Sequence, residues 1–238
     1  MSPYKLYSNP ASGNSYKIRL LASLLNIDLP TTNIDFLKDE QHSPSFLAIN
    51  PRGEIPTLVV DDKTVLCDSS GILVYLAGKH PSGKYWSTDI LEQARITDWL
   101  AFANSWVQYG VFTARAMLSF GGAYNGLGFT GCEQTYKDAV TRSYKSLDIL
   151  ETRLKERDWL ALDRPTVADV AVFVYVALSP MGDVVHDGHP GVKAWVERVG
   201  KLDGFVKMDG LDDPFYMRRS GEENTHASVR HLAKKVPA

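Results

Sequence analysis

The sequence predicts a small mixed α/β unit followed by an all-helical one. Three observations predict it. Strand and helix signals alternate through the first eighty residues; Pro81-Ser82-Gly83-Lys84 then breaks the pattern; almost everything after it carries helical periodicity. Lys5 to Ser8 reads as a strand. Asn14 to Asn26 reads as a helix, because Ile18, Leu21, Ala22 and Leu25 fall on one stripe. Thr32 to Phe36 is a second strand. Ser43-Pro44 opens a short helix, with proline in the first turn. Thr57 to Val60 and Thr64 to Cys67 flank Asp61-Asp62-Lys63, a hairpin turn. Ser69 to His80 is a third helix and stops before Pro81. The order β-α-β-α-β-β-α implies a mixed sheet with helices on its faces.

Beyond the linker, Thr88 to Phe120 reads as one long helix or two. Glu133 to Arg157 carries a stripe through Tyr136, Val140, Tyr144, Leu147, Leu150 and Leu154. Thr166-Val167-Ala168-Asp169 resembles a capping box, with Asp where Glu is usual. The helix it opens, through Leu178, is apolar all round and so buried. Val192 to Leu202 is a further helix. The boundaries expected are 1–82 for the first domain, 89–217 for the helical one, and 218–238 for a polar, loosely docked tail.

Bulk properties exclude several classes. The chain has 238 residues, 44% hydrophobic and 23% charged, which is ordinary for a globular protein. A formal net charge of -2 leaves no electrostatic footprint for nucleic acid or a membrane surface. No apolar run reaches the roughly 18–20 residues of a membrane span. Tyr4-Lys5-Leu6-Tyr7 starts a strand at once, without a signal-peptide pattern. Cys67 and Cys132 make neither a disulfide framework nor a metal motif, so a reducing, cytoplasmic setting is expected. His186-Asp187-Gly188-His189 lacks a third ligand, and no metal is expected. Phe120 to Gly128 is glycine-rich but lacks a following Gly-Lys-Ser/Thr. It reads as a lid or helix break, not a phosphate loop.

The most informative stretch is Asn50-Pro51-Arg52-Gly53-Glu54-Ile55-Pro56, followed by Asp68-Ser69. Proline cannot donate to a sheet ladder, so Pro56 must start its strand or sit at an edge. An X-Pro bond is also where a cis peptide is cheap. A cis bond turns the Ile55 amide and carbonyl outward, where an extended peptide can pair with them. A helix starting at Asp68-Ser69 offers free amides and a positive dipole end to a carboxylate. The ligand implied is a small anionic peptide.

These motifs resemble the soluble glutathione transferase superfamily over roughly residues 4 to 205. The resemblance rests on Pro10-Ala11-Ser12-Gly13-Asn14-Ser15 after the first strand, Asn50-Pro51-x-Gly53-x-Ile55-Pro56, Asp68-Ser69, and Thr166-x-x-Asp169. It implies an α/β thioredoxin-like N-terminal domain, an all-α C-terminal domain and a homodimer. Pro10-Ala11-Ser12 is similar to the plant-type (phi) serine transferases. Ser12-Gly13-Asn14-Ser15-Tyr16-Lys17-Ile18-Arg19 is similar to the zeta isomerase pattern S-S-C-S-W-R-V-R, except that its cysteine is Asn14 here. The expected function is a glutathione-dependent transferase. Cis-trans isomerisation and a non-catalytic binding module are the alternatives.

The resemblance assigns roles. Glutathione, as cosubstrate or catalytic thiol, needs a thiolate, yet a free thiol of pKa about 8.5 is only a few per cent ionised at pH 7. Lowering that by about two requires roughly 2.7 kcal/mol of preference for the anion. A hydrogen bond to a charged acceptor is worth about 1.5–3 kcal/mol, and a helix N-terminus about 0.3–1, at most about 2. Both converge on Ser12, the expected donor, with Ser15 and Asn14 as alternatives. Without the pattern Ser12 is a plain N-cap, and Tyr7 packs within its strand. Ile55 and Pro56 should hold the cysteinyl backbone. Ser69 should hold the γ-glutamyl carboxylate and Asp68 the α-ammonium. Lys38 and His42 are candidates for the glycyl carboxylate, or else a solvated charge run. A small hydrophobic electrophile is expected between the domains against the fourth helix, where Trp106, Tyr109, Phe112 and Thr113 share a face and Arg115 and Met117 follow. Such a stripe also suits a core. A bulky compound met in detoxification or secondary metabolism fits the aromatic helix.

Overall fold

A computed structural model describes residues 2–61, 63–119 and 131–216, apart from the Leu37 side chain. The glycine-rich stretch 120–128, the tail read from Arg218, and Asp62 of the hairpin turn lie outside the described residues. The chain divides into two compact units, residues 2–93 with Lys201–Met208, and residues 94–200 with 209–216. The linker read at Pro81 thus lies inside the first unit, which also takes back a later segment. There, Tyr16 Oη donates to Val206 O at 2.6 Å.

The first unit is built from β1 (Tyr4–Ser8), α1 (Gly13–Leu24), β2 (Thr31–Asn33), α2 (Pro44–Leu47), β3 (Thr57–Val60), β4 (Thr64–Cys67) and α3 (Ser69–Lys79). Its sheet runs β2-β1-β3-β4, with β1 and β2 parallel and the other pairs antiparallel. α1 packs against α3. Leu6, Ile18, Leu21, Leu58, Ile72 and Leu73 are wholly buried, each worth about 1.5–3 kcal/mol. β2 is shorter than the predicted Thr32 to Phe36. The Asp35 amide leaves the ladder for Glu40 Oε2 at 2.8 Å, and Phe36–Lys38 and Glu40–His42 coil into 3-10 turns. Ser43 caps α2, accepting from the Phe46 amide at 3.3 Å, with Pro44 in the first turn.

In the second unit, α4 (Ile90–Phe102) runs on into a π-helical segment, Ala103–Phe112, and then α5 (Thr113–Ser119). The unit boundary falls inside α4, after Gln93. α6 (Glu133–Leu154), α7 (Val167–Ala177) and α8 (Pro190–Val199) follow. The predicted Val192 start of α8 moves back to Pro190 because proline suits the first turn. Every residue of α7 is buried. The Asp169 carboxylate accepts from the Thr166 amide at 2.9 Å, Thr166 Oγ1 at 3.2 Å, the Leu160 amide at 3.1 Å and Trp195 Nε1 at 3.1 Å. Burial pushes this carboxyl up, and the four donors pull against it. Gly110 lets the π segment close on α6: a Cβ there would lie 3.1 Å from Ser143 N.

Candidate functional site

Strand register decides which loops meet. Tyr7 pairs with Thr57, and Thr57 with Cys67. The loop leaving β1, Pro56 entering β3, and Asp68 leaving β4 therefore stand side by side at one sheet end.

The middle loop is held by buried Asn50. Its Nδ2 donates to Glu54 O at 2.8 Å and Thr57 Oγ1 at 2.9 Å, and its Oδ1 accepts from the Arg52 amide at 3.1 Å. Gly53, at φ +64, turns the chain where a Cβ would strike His42 Cδ2 at 2.7 Å. The Ile55–Pro56 bond is cis. The Ile55 amide and carbonyl have no hydrogen-bond partner among the described residues. A peptide edge is thus left open beside the sheet.

Asp68 caps α3, accepting from the Ser70 amide at 2.8 Å. Its backbone sits at φ 67, ψ 130, a conformation costing a non-glycine residue about 1–3 kcal/mol and common at ligand sites. Ser70's amide being taken, those of Ser69 and Gly71 are the first-turn donors left for an anion. Ser69 is buried, whereas Asp68 is exposed. His42 packs against Gly53, and Asp39 Oδ1 lies 2.7 Å from its Nδ1, so Nε2 is the ring nitrogen without a hydrogen-bond partner among the described residues. Lys38 is 73% exposed and pairs with Asp35 at 3.4 Å, so no contact draws it to the loop.

The β1–α1 loop is pinned by Asn9. Its Oδ1 accepts from the Ala11 amide and its Nδ2 donates to Ile34 O, both at 2.9 Å. Ser12 caps α1: its Oγ accepts from the Ser15 amide at 3.2 Å and keeps its proton to donate. Ser15 turns inward, wholly buried, and its hydroxyl has no hydrogen-bond partner among the described residues. Asn14 is half-buried and receives Lys17 Nζ on Oδ1 at 2.9 Å. Lys17 itself is only 1% exposed. Burial pushes its ammonium down to about 8, and the Asp68 charge pulls it back up. Tyr7 packs edge-on to Phe46, with centroids 5.6 Å apart.

The five residues assigned to the electrophile separate. A groove of about 460 Å³ between the π segment and α6 is lined by Trp106 and Tyr109 together with Thr113, Thr135, Arg142 and Lys145. The Arg142 guanidinium lies 4.3 Å over the Trp106 ring. Phe112 instead meets Tyr175 of α7 at 4.8 Å. Arg115 and Met117 are buried, and Arg115 Nε points to Met181 Sδ at 3.3 Å. Burial lowers Arg115 to about 10, while Tyr175 pulls it up. The physical reason for Phe112 is the π turn, which is wider than 3.6 residues and rotates it away from Trp106, Tyr109 and Thr113. α5 is also buried all round.

Sequence reasoning missed the clamp of Asn50 and Thr57, the groove residue Arg142, and Lys17. A signal existed for the last: Lys17 shares its face with Leu20, Leu21 and Leu24, at i+3, i+4 and i+7. The two histidines of the 186–189 loop are used structurally. His186 Nε2 meets Ser179 Oγ at 2.9 Å, and His189 Nε2 meets Asp148 Oδ1 at 2.9 Å. Among the described residues no three His, Cys, Asp or Glu side chains converge as a metal set, and no helix is long and apolar enough to cross a membrane. Cys67 is half-buried and Cys132 exposed, both as free thiols.

Comparison with known proteins converges on the same motifs. The family pattern "Glutathione S-transferase, N-terminal domain" matches residues 11–79, and "Glutathione S-transferase, C-terminal domain" matches residues 106–203. Protein URE2 of Debaryomyces hansenii is 33% identical over 43% of this chain, and the match spans only 35% of that relative's length. Glutathione S-transferase 2 of Schizosaccharomyces pombe is 30% identical over 72% of this chain and 73% of its own. Among solved structures, a possible glutathione S-transferase from Rhodopseudomonas palustris aligns with TM-score 0.78 and 32% identity, over 87% of this chain and 98% of that one. Ure2p in complex with glutathione aligns with TM-score 0.74 over 85% of this chain and 96% of that one, but at 21% identity it speaks for the fold alone. With both domain patterns in sequence order and a fungal transferase matched over most of its length, the chain belongs to the soluble glutathione S-transferase family.

Proposed function

We propose that the protein binds glutathione at this sheet end and holds its thiol as a thiolate for attack on a small hydrophobic electrophile. One observation carries the reading: the open Ile55 peptide edge and the N-termini of α1 and α3 stand together. In this reading Ile55, beside Pro56, pairs with the cysteinyl backbone. The Ser69 and Gly71 amides, with the Ser69 hydroxyl, take the γ-glutamyl carboxylate. Asp68 takes the α-ammonium. His42 Nε2, with Lys38 as the alternative, takes the glycyl carboxylate.

The thiol proton leaves to water. Ser12 Oγ or Asn14 Nδ2 then donates to the sulfur, and Ser15 ranks behind them because its hydroxyl is buried. In transfer, the S–C bond forms and the leaving group departs with its electron pair. In isomerisation, the adduct rotates about the former double bond and expels the thiolate again, so glutathione is not consumed. Transfer is the primary reading, with Trp106 and Tyr109 as the aromatic surface offered to the electrophile. The working form in this reading is a cytoplasmic homodimer, which sedimentation equilibrium checks. The relatives named URE2 rather than transferase favour a second reading, a glutathione-binding module without turnover.

An ultraviolet difference titration of bound glutathione tests the proposal. Native protein should show a thiolate with an apparent pKa of about 6–7, and Ser12→Ala or Asn14→Ala should raise it by about 1 or more. Binding without a thiolate supports the second reading. No binding overturns both.

A further inference from the structure

Helix α1 buries a lysine almost completely. Lys17 lies on a face whose other members, Leu20, Leu21 and Leu24, are buried aliphatics. A methionine would fill that space without burying an ammonium, which is strongly unfavourable unless the charge is used. Two of the polar groups around it bear on the site. Asn14 Oδ1 accepts from Nζ at 2.9 Å, and Asp68, the cap of α3, is the carboxylate whose charge reaches it.

The first contact fixes an orientation. An ammonium has three donors and no acceptor, so the atom it holds must be the carboxamide oxygen. The Asn14 amide cannot flip without setting N–H against N–H. Nδ2 therefore keeps its two hydrogens, and it has no hydrogen-bond partner among the described residues. The Asp68 charge that reaches Lys17 belongs to the group assigned to the ligand's α-ammonium end. Lys17 thus stands between the thiol end and the γ-glutamyl end of the glutathione site.

Resting on the glutathione reading, we propose that Lys17 is a positioning residue for thiol activation. Its ammonium grips Asn14 Oδ1, commits Nδ2 as the thiolate donor, and adds a fixed positive charge at the start of α1. Hydrogen bonding to the charged form and an opposite charge nearby both lower a thiol pKa. With Lys17 itself titrating near 8 in the ligand-free protein, the cation is present at neutral pH. Asp68 from α3 is a charged group that faces it, and Asn14 is a hydrogen-bond partner on its own helix.

The test compares native protein, Lys17→Met, Lys17→Arg, Asn14→Ala and the Lys17→Met/Asn14→Ala double variant. Two quantities are read: the thiolate titration of bound glutathione, and the affinity for S-methylglutathione, which has no thiol. Lys17→Met should raise the thiol pKa by about 1, a tenfold loss of thiolate on the ionising limb. Affinity for S-methylglutathione should change less than about threefold, because the carboxylate sites remain; Lys17→Arg should recover most of the shift. The double variant should be no worse than the larger single effect, since the residues act as one unit. An unchanged thiol pKa in Lys17→Met overturns the proposal, and so does equal loss of both ligands at constant thiol pKa. Should Lys17→Met fail to fold, Asn14→Ala decides: a folded variant with the native thiol pKa overturns it. A native protein with no thiolate sinks the glutathione-activation reading and this one together. A native thiolate indifferent to Lys17 sinks this one alone.

Discussion

Lys17 sits where burial works against it, and that has a thermodynamic signature. Its ammonium falls from 10.5 to about 8 on folding. Between those values the unfolded chain binds more protons than the native one, so stability must rise with pH across that window. Below about pH 8 the group is charged in both states and contributes a constant penalty of about 3 kcal/mol. Lys17→Met should therefore raise the guanidinium denaturation free energy at pH 7 by about 1–3 kcal/mol, and the rise between pH 8 and 10 should vanish. A loss of stability instead would mark the lysine as a packing residue. Ser15 makes the opposite case. Its buried hydroxyl lacks a partner among the described residues, so Ser15→Ala should stabilise by about 1 kcal/mol and leave the thiolate titration unmoved. A thiol pKa that rose in Ser15→Ala would return it to the candidate donors. The burial of Ser15 was not legible in the sequence, and that of Lys17 was signalled only by its leucine face. Lysine is read as exposed by default, and a serine one turn into a helix is read as a surface hydroxyl until the helix's rotation is known.

At the scale of elements, the loop from Asn50 to Thr57 is a small machine for presenting Ile55. Asn50 satisfies the Glu54 carbonyl, the Thr57 hydroxyl and the Arg52 amide at once. Asn50→Ala removes three hydrogen bonds from the loop, leaving the Thr57 hydroxyl on the Glu54 carbonyl, and should cost about 2–3 kcal/mol in thermal unfolding. S-Methylglutathione should bind about tenfold more weakly by calorimetry, because the edge loses its frame. Unaltered affinity would place the ligand elsewhere. Elements with local chemistry were legible: β3 and β4 run over the predicted residues because their alternation and hairpin turn are encoded side by side. The Thr166–Asp169 box was legible for the same reason. β2 was overextended because its end is set by Glu40, five residues beyond Asp35. The π segment was not legible, since its wider hydrogen bonding has no residue signature. That is why Phe112 was read onto the face of Trp106, Tyr109 and Thr113, which the helix does not give it.

Across the whole molecule, the net charge of -2 supplies no long-range pull on an anionic peptide. Affinity must come from local donors, and in the proposed site these belong to the first unit. Ligand binding then has a spatial signature. At about one hundred times its dissociation constant, S-methylglutathione should add about 2.7 kcal/mol to the stability of the native state. That gain slows every amide exchanging only through global unfolding, wherever it lies. Amides exchanging through local opening respond only where the ligand touches, and these carry the information. Their protection should rise at residues 9–17, 50–57 and 67–72, the three segments at the sheet end. It should stay unchanged along the π segment, where Trp106 and Tyr109 line a groove that S-methylglutathione has no bulky substituent to fill. Protection of the π segment by the S-methyl compound, with the three loops untouched, would reverse the assignment and put the peptide in the helical unit.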